Sequence, residues 1–561
     1  MNTKLIECVP NFSEGSDMAI IKQITDQIES VEGVSLLDVD PGKATNRTVV
    51  TFVGTPEEVI DAAFLAIKKA CELIDMSKHQ GEHPRFGATD VCPLVPVANI
   101  SMEETVEYAH KLAERVGREL DFPVYCYEFA AQTDQRKNLA SIRSGEYEGL
   151  PDKLSRTEWK PDFGPARFVP STGVVAIGAR NFLVAYNINL NTTSTRRANS
   201  VAFDVREAGR VLREGDPISG KIVKDEKGNK VRVAGSLKKV KAIGWYIEEY
   251  AVCQISMNLT DITITPVHVA YDEVFDRCYK RGLRVTGSEL VGLIPLQAML
   301  DAGRHFLSKQ TRSLGVPDSE LIKIAVKSMG LDELKPFIPE ERIIEYKMAG
   351  PDGKPLVSMN LSAFVEETAS ESPAPGGGSI AAYMGAMGAA LATMVANLSA
   401  HKRGWDERWE EFSEWAVQGK EAYLKLLYKV DEDTEAFNGI MDAFGLPKGT
   451  DDEKAARKAA IQEATKIAVQ VPLETMKLAF DSMTVIKKMA EIGNPNSVSD
   501  AGVAALAARS AVFGAYLNVK INLGDLSDEV YKSNIIKEAD ALKIDSALLE
   551  KEILAIVESK I

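Results

Sequence analysis

Residues Ser372 to Ala400 contain no Asp, Glu, Lys or Arg. A run of that length without charge has two stable fates: it crosses a bilayer, or it is packed on most sides inside protein. This run is rich in Ala and Gly, opens on Pro373-Ala374-Pro375-Gly376-Gly377-Gly378-Ser379, and includes Asn397 and several Ser and Thr. Small residues let neighbouring backbones approach closely, so we expect a buried helix of a helical domain and no membrane span.

The flanking sequence agrees with a helical domain. Long helical segments start near Gly376, Glu407, Asp452, Val498 and Ser527, with stop signals at Gly445–Gly449 and Ile492–Ser497. Pro472 is expected to kink the third long helix. Residues 358–561 therefore read as an antiparallel helix bundle. On its second long helix, Tyr423, Leu426, Val430, Asp433, Phe437, Ile440 and Phe444 recur at helical spacing. Asp433 is the only charge on that stripe, whereas Asp431, Glu432 and Glu435 fall off it towards solvent. A carboxylate facing a core is costly unless paired or protonated, and desolvation raises its pKa, which suits proton transfer. A structural Asp bonded to a helix N-terminus or a Lys fits the same pattern. The PGGGS turn, Pro375 to Ser379, lacks the Lys-Ser/Thr ending of a nucleotide-binding loop.

Before residue 335 the pattern changes to alternating strands and helices. Strands are expected at Leu5–Val9, Val34–Asp40, Arg47–Val53 and Val91–Val97, with helices at Ser16–Glu29 and from Thr55-Pro56 to about Ile74. The same β-α-β-β-α-β order returns in strands Phe182–Leu190, Lys241–Ile247, Ala251–Leu259 and Val285–Ile294, with Gly287 as a bulge. Its helices are Ser194–Ala208 and one from Thr265-Pro266 through Arg281. The helix Ser101–Leu120 and the residues up to about 180 are expected to bridge the two. The expected fold is α/β plus all-α: two βαββαβ-like sandwich subdomains (1–180 and 181–335), a Pro- and Gly-rich linker (336–357) and the helix bundle (358–561). A cleft between the subdomains is the default ligand site.

All six Cys lie in this front part and none forms a CxxC pair, which argues for free thiols, no thiolate metal site and a reducing compartment. The first residues lack a signal-peptide core, so a cytoplasmic protein is expected. A net charge of −15 gives no global attraction for nucleic acid or anionic lipid.

The segment Lys78 to Asp90, KHQGEHPRFGATD, concentrates the chemistry. His79 and His83 are four apart, a zinc-ligand spacing on a helix, but Gly81 and Pro84 oppose a helix there. As a loop, the segment presents His83, able to take and return a proton near neutrality, beside Arg85, able to clamp a carboxylate. Local backbone bonding is the alternative role for both. Asp40 ends a predicted strand, where a carboxylate can orient a histidine, and Arg47 offers a second anion clamp. Both also suit turn capping. The segment Asp162 to Gly173 is rich in Gly and Pro, which permits close approach to a flat ligand.

ECVPNFSEG, LLDVDPG, NRTVVTFVG, GEHPRFGATDVCP, DFGPARFVPSTG, VAYNINL, KKVKAIGWY and ELVGLIPL occur in the order found in glutamate formimidoyltransferases. SPAPGGGS, VDEDTEAF, GNPNSVSD and VFGAYLNVKINL resemble the cyclodeaminase segments that follow them in formimidoyltransferase-cyclodeaminases. The resemblance covers most of residues 1–335 and roughly 358–555. It implies His83 as the acid/base of the transfer and Asp40 as its electrostatic partner. It also implies Gly164-Pro165-Ala166-Arg167-Phe168-Val169-Pro170-Ser171-Thr172-Gly173 as the folate-binding segment and Asp433 as the cyclodeaminase acid/base. Asn494, Ser499, Asp500 and the PGGGS turn are further pocket candidates. The implied activity moves a formimidoyl group from N-formimidoyl-L-glutamate to tetrahydrofolate, with or without a polyglutamate tail. It then closes the ring to methenyl-tetrahydrofolate with loss of ammonia, and no metal takes part. The implied assembly is a homo-oligomeric ring of dimers, such as an octamer. Residues Leu212 to Gly235 depart from the resemblance as an added hairpin. The competing readings are a metal-dependent amidohydrolase using His79 and His83, and a non-catalytic folate-binding scaffold.

Overall fold

Alternation along the first strand sets the plan of the front half. In β1 (Leu5–Cys8), Ile6 and Cys8 are fully buried under helices, and Glu7 points to the opposite face of the pleat. The computed structural model describes residues 4–43, 45–81, 85–216, 219–349 and 356–561. By internal contact the chain forms two units, Met1–Met299 with Met329–Met348, and Leu300–Ser328 with Ala349–Ile561.

In the first unit, β2 (Asn11–Phe12), β3 (Ser35–Gly42), β4 (Arg47–Gly54), β5 (Thr89–Ala98), β6 (Val124–Glu128) and β7 (Val175–Ala179) join β1 in one sheet. Both β1 and β2 pair with β4 on one side and β5 on the other, so together they act as one interrupted strand. Pairing is antiparallel except for β5–β7 and β6–β7, which are parallel. Helices α1 (Met18–Glu29), α2 (Pro56–Leu73) and α3 (Met102–Glu119) cover one face, where Ile24, Ile67 and Leu112 meet Phe52 and Leu94. Thr55 and Glu58 form the expected capping box on α2, with the Thr55 amide donating to Glu58. Residues 121–180 do more than bridge: they supply β6 and β7 and the short helices α4 (Leu139–Arg143) and α5 (Leu150–Leu154).

The next strands are β8 (Val184–Leu190), the short antiparallel pair β9 (Arg210–Val211) and β10 (Arg232–Val233), then β11 (Val240–Ile247), β12 (Val252–Leu259) and β13 (Val285–Val291). The pair β9–β10 lies at the base of the segment expected as one hairpin, but its described residues bridge at Arg213 with Ile222 and at Lys224 with Lys230, two successive pairings. The sheet β11-β12-β8-β13 is antiparallel throughout, and its register shifts between Val285 and Gly287 at the expected bulge. It packs with α6 (Thr195–Val205) and α7 (Val267–Tyr279). Thr265 does not cap α7; its hydroxyl donates to the carbonyl of Lys238. The expected linker carries two short helices among its described residues. Short helices α10 (Pro339–Arg342) and α11 (Ile344–Ala349) return to the first unit, where Ile344 is buried with Leu37 and Val53.

The second unit is helical. After α8 (Leu296–Lys309) and α9 (Asp318–Met329) come α12 (Leu361–Thr368), α13 (Gly377–Ala400), α14 (Trp409–Gly445), α15 (Asp451–Ile492), α16 (Val498–Leu523) and α17 (Glu529–Glu558). Helices α14, α15 and α16 all pack on α13, whose small residues permit it: Gly385 lies against Leu426, Ala479 and Ala511. The charge-free run is therefore a core helix, with 61% of its most apolar window buried. By length and composition, Gly377–Ala400 and Pro495–Leu523 could each cross a membrane. Helix α15 runs on through Pro472. The stripe on α14 is buried at Leu426 and Val430, but Phe437 and Phe444 are exposed. Asp431 is not in solvent. It is buried, and one of its oxygens accepts from the Leu356 amide at 3.0 Å.

Candidate functional site

In the first unit the strand faces turned away from the helices enclose a cavity of about 1050 Å³. Period two decides its lining. On β3, Asp38 and Asp40 face it; on β4, Arg47, Val49 and Thr51 do, whereas Val50 and Phe52 enter the core. The second sheet contributes Lys241, Asn258 and Val291. Asp40 sits at the exposed rim. Burial within the cleft, reinforced by the neighbouring charge of Asp38 and opposed by Arg342, raises its carboxyl above the usual range.

Arg47 lines the cavity but is heavily engaged. Its Nε and Nη2 donate to Asn11 Oδ1 at 2.9 and 2.7 Å, and its Nη1 reaches Asp90 Oδ2 at 2.6 Å. Asp90 is fully buried. It also accepts from Arg143 and, at 3.1 Å, from the Phe86 amide. Burial lowers the Arg47 pKa, and Asp90 opposes that shift. Two guanidinium groups on one buried carboxylate fix this wall rigidly.

Arg85 does not line the cavity. It donates to both oxygens of Glu148 and packs over the Tyr147 ring. His79 Nε2 lies 2.9 Å from the Asn46 carbonyl and its Nδ1 3.4 Å from Arg85 Nε, so both ring nitrogens have protein partners. A ring that donates from Nε2 and accepts at Nδ1 satisfies both contacts. Among the described residues there is no cluster of three or more metal-ligating side chains. His83 lies outside the described residues.

The segment Gly164–Gly173 lies apart from the cavity lining. Arg167 pairs with Asp121 at the surface, and Phe168 meets Tyr147 at 5.4 Å between ring centres. The Tyr147 hydroxyl donates to the Pro170 carbonyl, and the Met76 amide to Ser171. Gly173, at φ +67°, bridges Gly87 in the loop that leads to Asp90. The segment thus adjoins the Arg85–Tyr147 contact and the back of the Asp90 network. It does not join Asp40.

Sequence reasoning missed two features of the cavity. One is a cation group, Arg180, Lys239 and Lys241, whose charges oppose the burial-driven rise in the pKa of Glu128. The lysines stand in KKVKAIGWY, so the signal was present. The other is Glu7, whose only sequence signal is a lone carboxylate inside a short apolar strand.

In the second unit Asp433 meets the first turn of α13. Ser379 Oγ donates to Asp433 Oδ2 at 3.2 Å, and Ser379 Oγ lies 3.4 Å from Thr434 Oγ1. A Cβ on Gly378 would fall 2.5 Å from Asp433 Cγ and closer still to Oδ1. Burial raises the Asp433 pKa, and the hydrogen bonds from the Ser379 side chain and backbone oppose it. Asn518 on α16 lies against Gly377 and was also missed. Asn494 is elsewhere. Its amide donates to Ser399 near the other end of α13, about 30 Å from Ser379 at 1.5 Å per residue. Ser499 and Asp500, in the first turn of α16, follow Asn494 to that end.

Three family models match this chain: "Formiminotransferase domain, N-terminal subdomain" over residues 5–180, "Formiminotransferase domain" over 185–349, and "Formiminotransferase-cyclodeaminase" over 360–541. The chain is 44% identical over 558 residues to the formimidoyltransferase-cyclodeaminase of Gallus gallus, covering 99% of each. It is 42% identical over 305 residues to the glutamate formimidoyltransferase of Thermoplasma acidophilum, covering 54% of this chain and 92% of that one. It is 39% identical over 201 residues to the methenyltetrahydrofolate cyclohydrolase of Methylorubrum extorquens, covering 36% of this chain and 97% of that one.

Proposed function

The chain belongs to the formiminotransferase-cyclodeaminase family, and from that premise we propose how its two units divide the chemistry. It is a bifunctional folate enzyme. It transfers the formimidoyl group of N-formimidoyl-L-glutamate to tetrahydrofolate, then closes formimidoyl-tetrahydrofolate to methenyl-tetrahydrofolate with release of ammonia.

In the transfer, a folate nitrogen attacks the amidine carbon and the bond from that carbon to the glutamate nitrogen breaks. One proton must leave the attacking amine and one must reach the departing amine. We assign that shuttle to His83, with Asp40 stabilising the cationic tetrahedral species across the cleft. Support for Asp40 is its place on the cavity wall; support for His83 is the HPR motif. Gly164–Gly173 would hold the folate, and Arg85 would act at its edge. Arg47, already bound to Asp90 and Asn11, would act through the wall it stiffens. Arg180, Lys239 and Lys241 suit the carboxylates of the glutamate donor.

In the cyclisation, a second folate nitrogen attacks the same carbon and ammonia leaves. Asp433 would deliver the proton that turns the nitrogen into a leaving group, a role suited to a carboxyl whose hold on its proton burial strengthens. The close seat of Asp433 against Gly378 is the observation that carries this half.

We read the front as paired βαββαβ layers and the rear as an antiparallel bundle. We place the enzyme in the cytoplasm, supported by six free Cys. We also read it as a ring of dimers, supported by exposed Met387, Met394 and Leu398 on α13 and Phe513, Leu517 and Ile521 on α16. Tetrahydrofolate serves as co-substrate, with or without a polyglutamate tail, and no metal is assigned a role. The test is direct: purified protein mixed with formimidoylglutamate and tetrahydrofolate should generate the absorbance of methenyl-tetrahydrofolate. Absence of both that signal and formimidoyl-tetrahydrofolate overturns the assignment.

A further inference from the structure

Glu7 is a carboxylate that no described residue of the front unit binds. It is 5% exposed, lines the cavity, and has no hydrogen-bond or ion-pair partner among the described residues. Its cross-strand neighbours on β4 and β5 are Val53 and Val95. The charged groups that act on it are Arg180, beyond β7, and Glu345 on α11. Arg180 donates to the Asn181 carbonyl, and Glu345 accepts from the Leu296 amide. On β3, Asp38 and Asp40 line the same cavity, and Arg47 on β4 is held by Asn11 and Asp90.

An unpaired carboxylate in an apolar wall is costly, and a cavity that keeps one has a use for a cation. The donor of the proposed transfer offers one cationic group, its amidinium. We propose that Glu7 binds the amidinium of the formimidoyl donor and so selects the amidine over the neutral formyl compound of the same shape. This rests on the transferase reading above and adds a specificity-determining residue to it. Burial, reinforced by Glu345 and opposed by Arg180, pushes the Glu7 carboxyl up to about 7. Donor binding must then expel a proton from Glu7 whenever the pH lies below that value.

The test is calorimetric binding of N-formimidoyl-L-glutamate and of neutral N-formyl-L-glutamate to the full chain at pH 6 and pH 8. Wild type should prefer the amidine, and that preference should fall about tenfold from pH 8 to pH 6, since one unit below its pKa only about a tenth of a carboxyl is ionised. The ratio of the two affinities cancels titrations that both ligands share. Glu7→Gln should lose the preference and its pH dependence. Glu7→Asp, which keeps the charge, should retain the pH dependence with weaker binding. Two findings would overturn the proposal: a Glu7→Gln protein with the wild-type preference and profile, or a Glu7→Asp protein with a flat one. If wild type transfers no formimidoyl group to tetrahydrofolate, the transferase reading falls first; if it transfers normally while Glu7→Gln binds like wild type, only the role of Glu7 falls.

Discussion

The carboxylate of Asp433 occupies the space that a side chain on Gly378 would fill. The two residues lie on different helices, and the contact explains why position 378 in the first turn of α13 is glycine. Gly378→Ala should displace Asp433 by a fraction of an ångström to an ångström. Displacements of that size cost on the order of 100-fold in rate. Cyclisation of supplied formimidoyl-tetrahydrofolate should fall accordingly while transfer persists. Cyclisation at the wild-type rate would show that the contact is dispensable.

Ser379 tests the protonation state that the rear site requires. Its hydrogen bonds favour ionised Asp433 and partly offset burial. Removing the hydroxyl in Ser379→Ala should raise the Asp433 pKa further. The alkaline limb of the cyclisation pH profile should move to higher pH, because the acid form then survives longer. A limb that stays or moves down would remove Asp433 as the acid.

Glu7 carries a cost in stability. The folded chain holds its proton more tightly than the unfolded chain, with the pKa raised from 4.5 to about 7. The stability this contributes is complete below 4.5 and is lost as pH rises towards 7, a loss of about 3 kcal/mol if the whole shift is expressed. Glu7→Gln should therefore gain on wild type between pH 5 and pH 8 in denaturant unfolding of the front unit. Parallel stability curves for the two proteins would contradict the burial of an ionisable Glu7.

Asp90 is the counter-charge for both Arg47 and Arg143. Asp90→Ala leaves two guanidinium groups in the cavity wall without it, and should destabilise the front unit by about 3–5 kcal/mol. Thermal unfolding should show an early front transition. A wild-type melt would mean that water or ligand serves these arginines equally well.

Much of this arrangement is legible in the sequence because it depends on local periodicity. The charge-free run defines α13, and the stripe Leu426–Val430–Asp433 turns Asp433 inward, since helical spacing alone fixes which residues share a face. The strands Val124–Glu128, buried up to Glu128, and Val175–Ala179, buried throughout, escape notice because residues covered on both faces do not alternate. Asp431 is buried by the Leu356 segment, an interaction remote in sequence. Asn494 and Asp433 stand in separate segments of one family resemblance, and about 30 Å of α13 lies between their partners Ser399 and Ser379. Glu7 stays hidden because one carboxylate in a four-residue strand has no pattern to break.

The division of labour between the two units is tested most directly by following methenyl-tetrahydrofolate absorbance from formimidoylglutamate and tetrahydrofolate with His83→Ala, with Asp433→Ala, and with the two variants mixed. Each variant alone should yield no product, Asp433→Ala should accumulate formimidoyl-tetrahydrofolate, and the mixture should restore turnover. Product from either variant alone, or a mixture as silent as its components, would contradict two separable sites with one essential group in each.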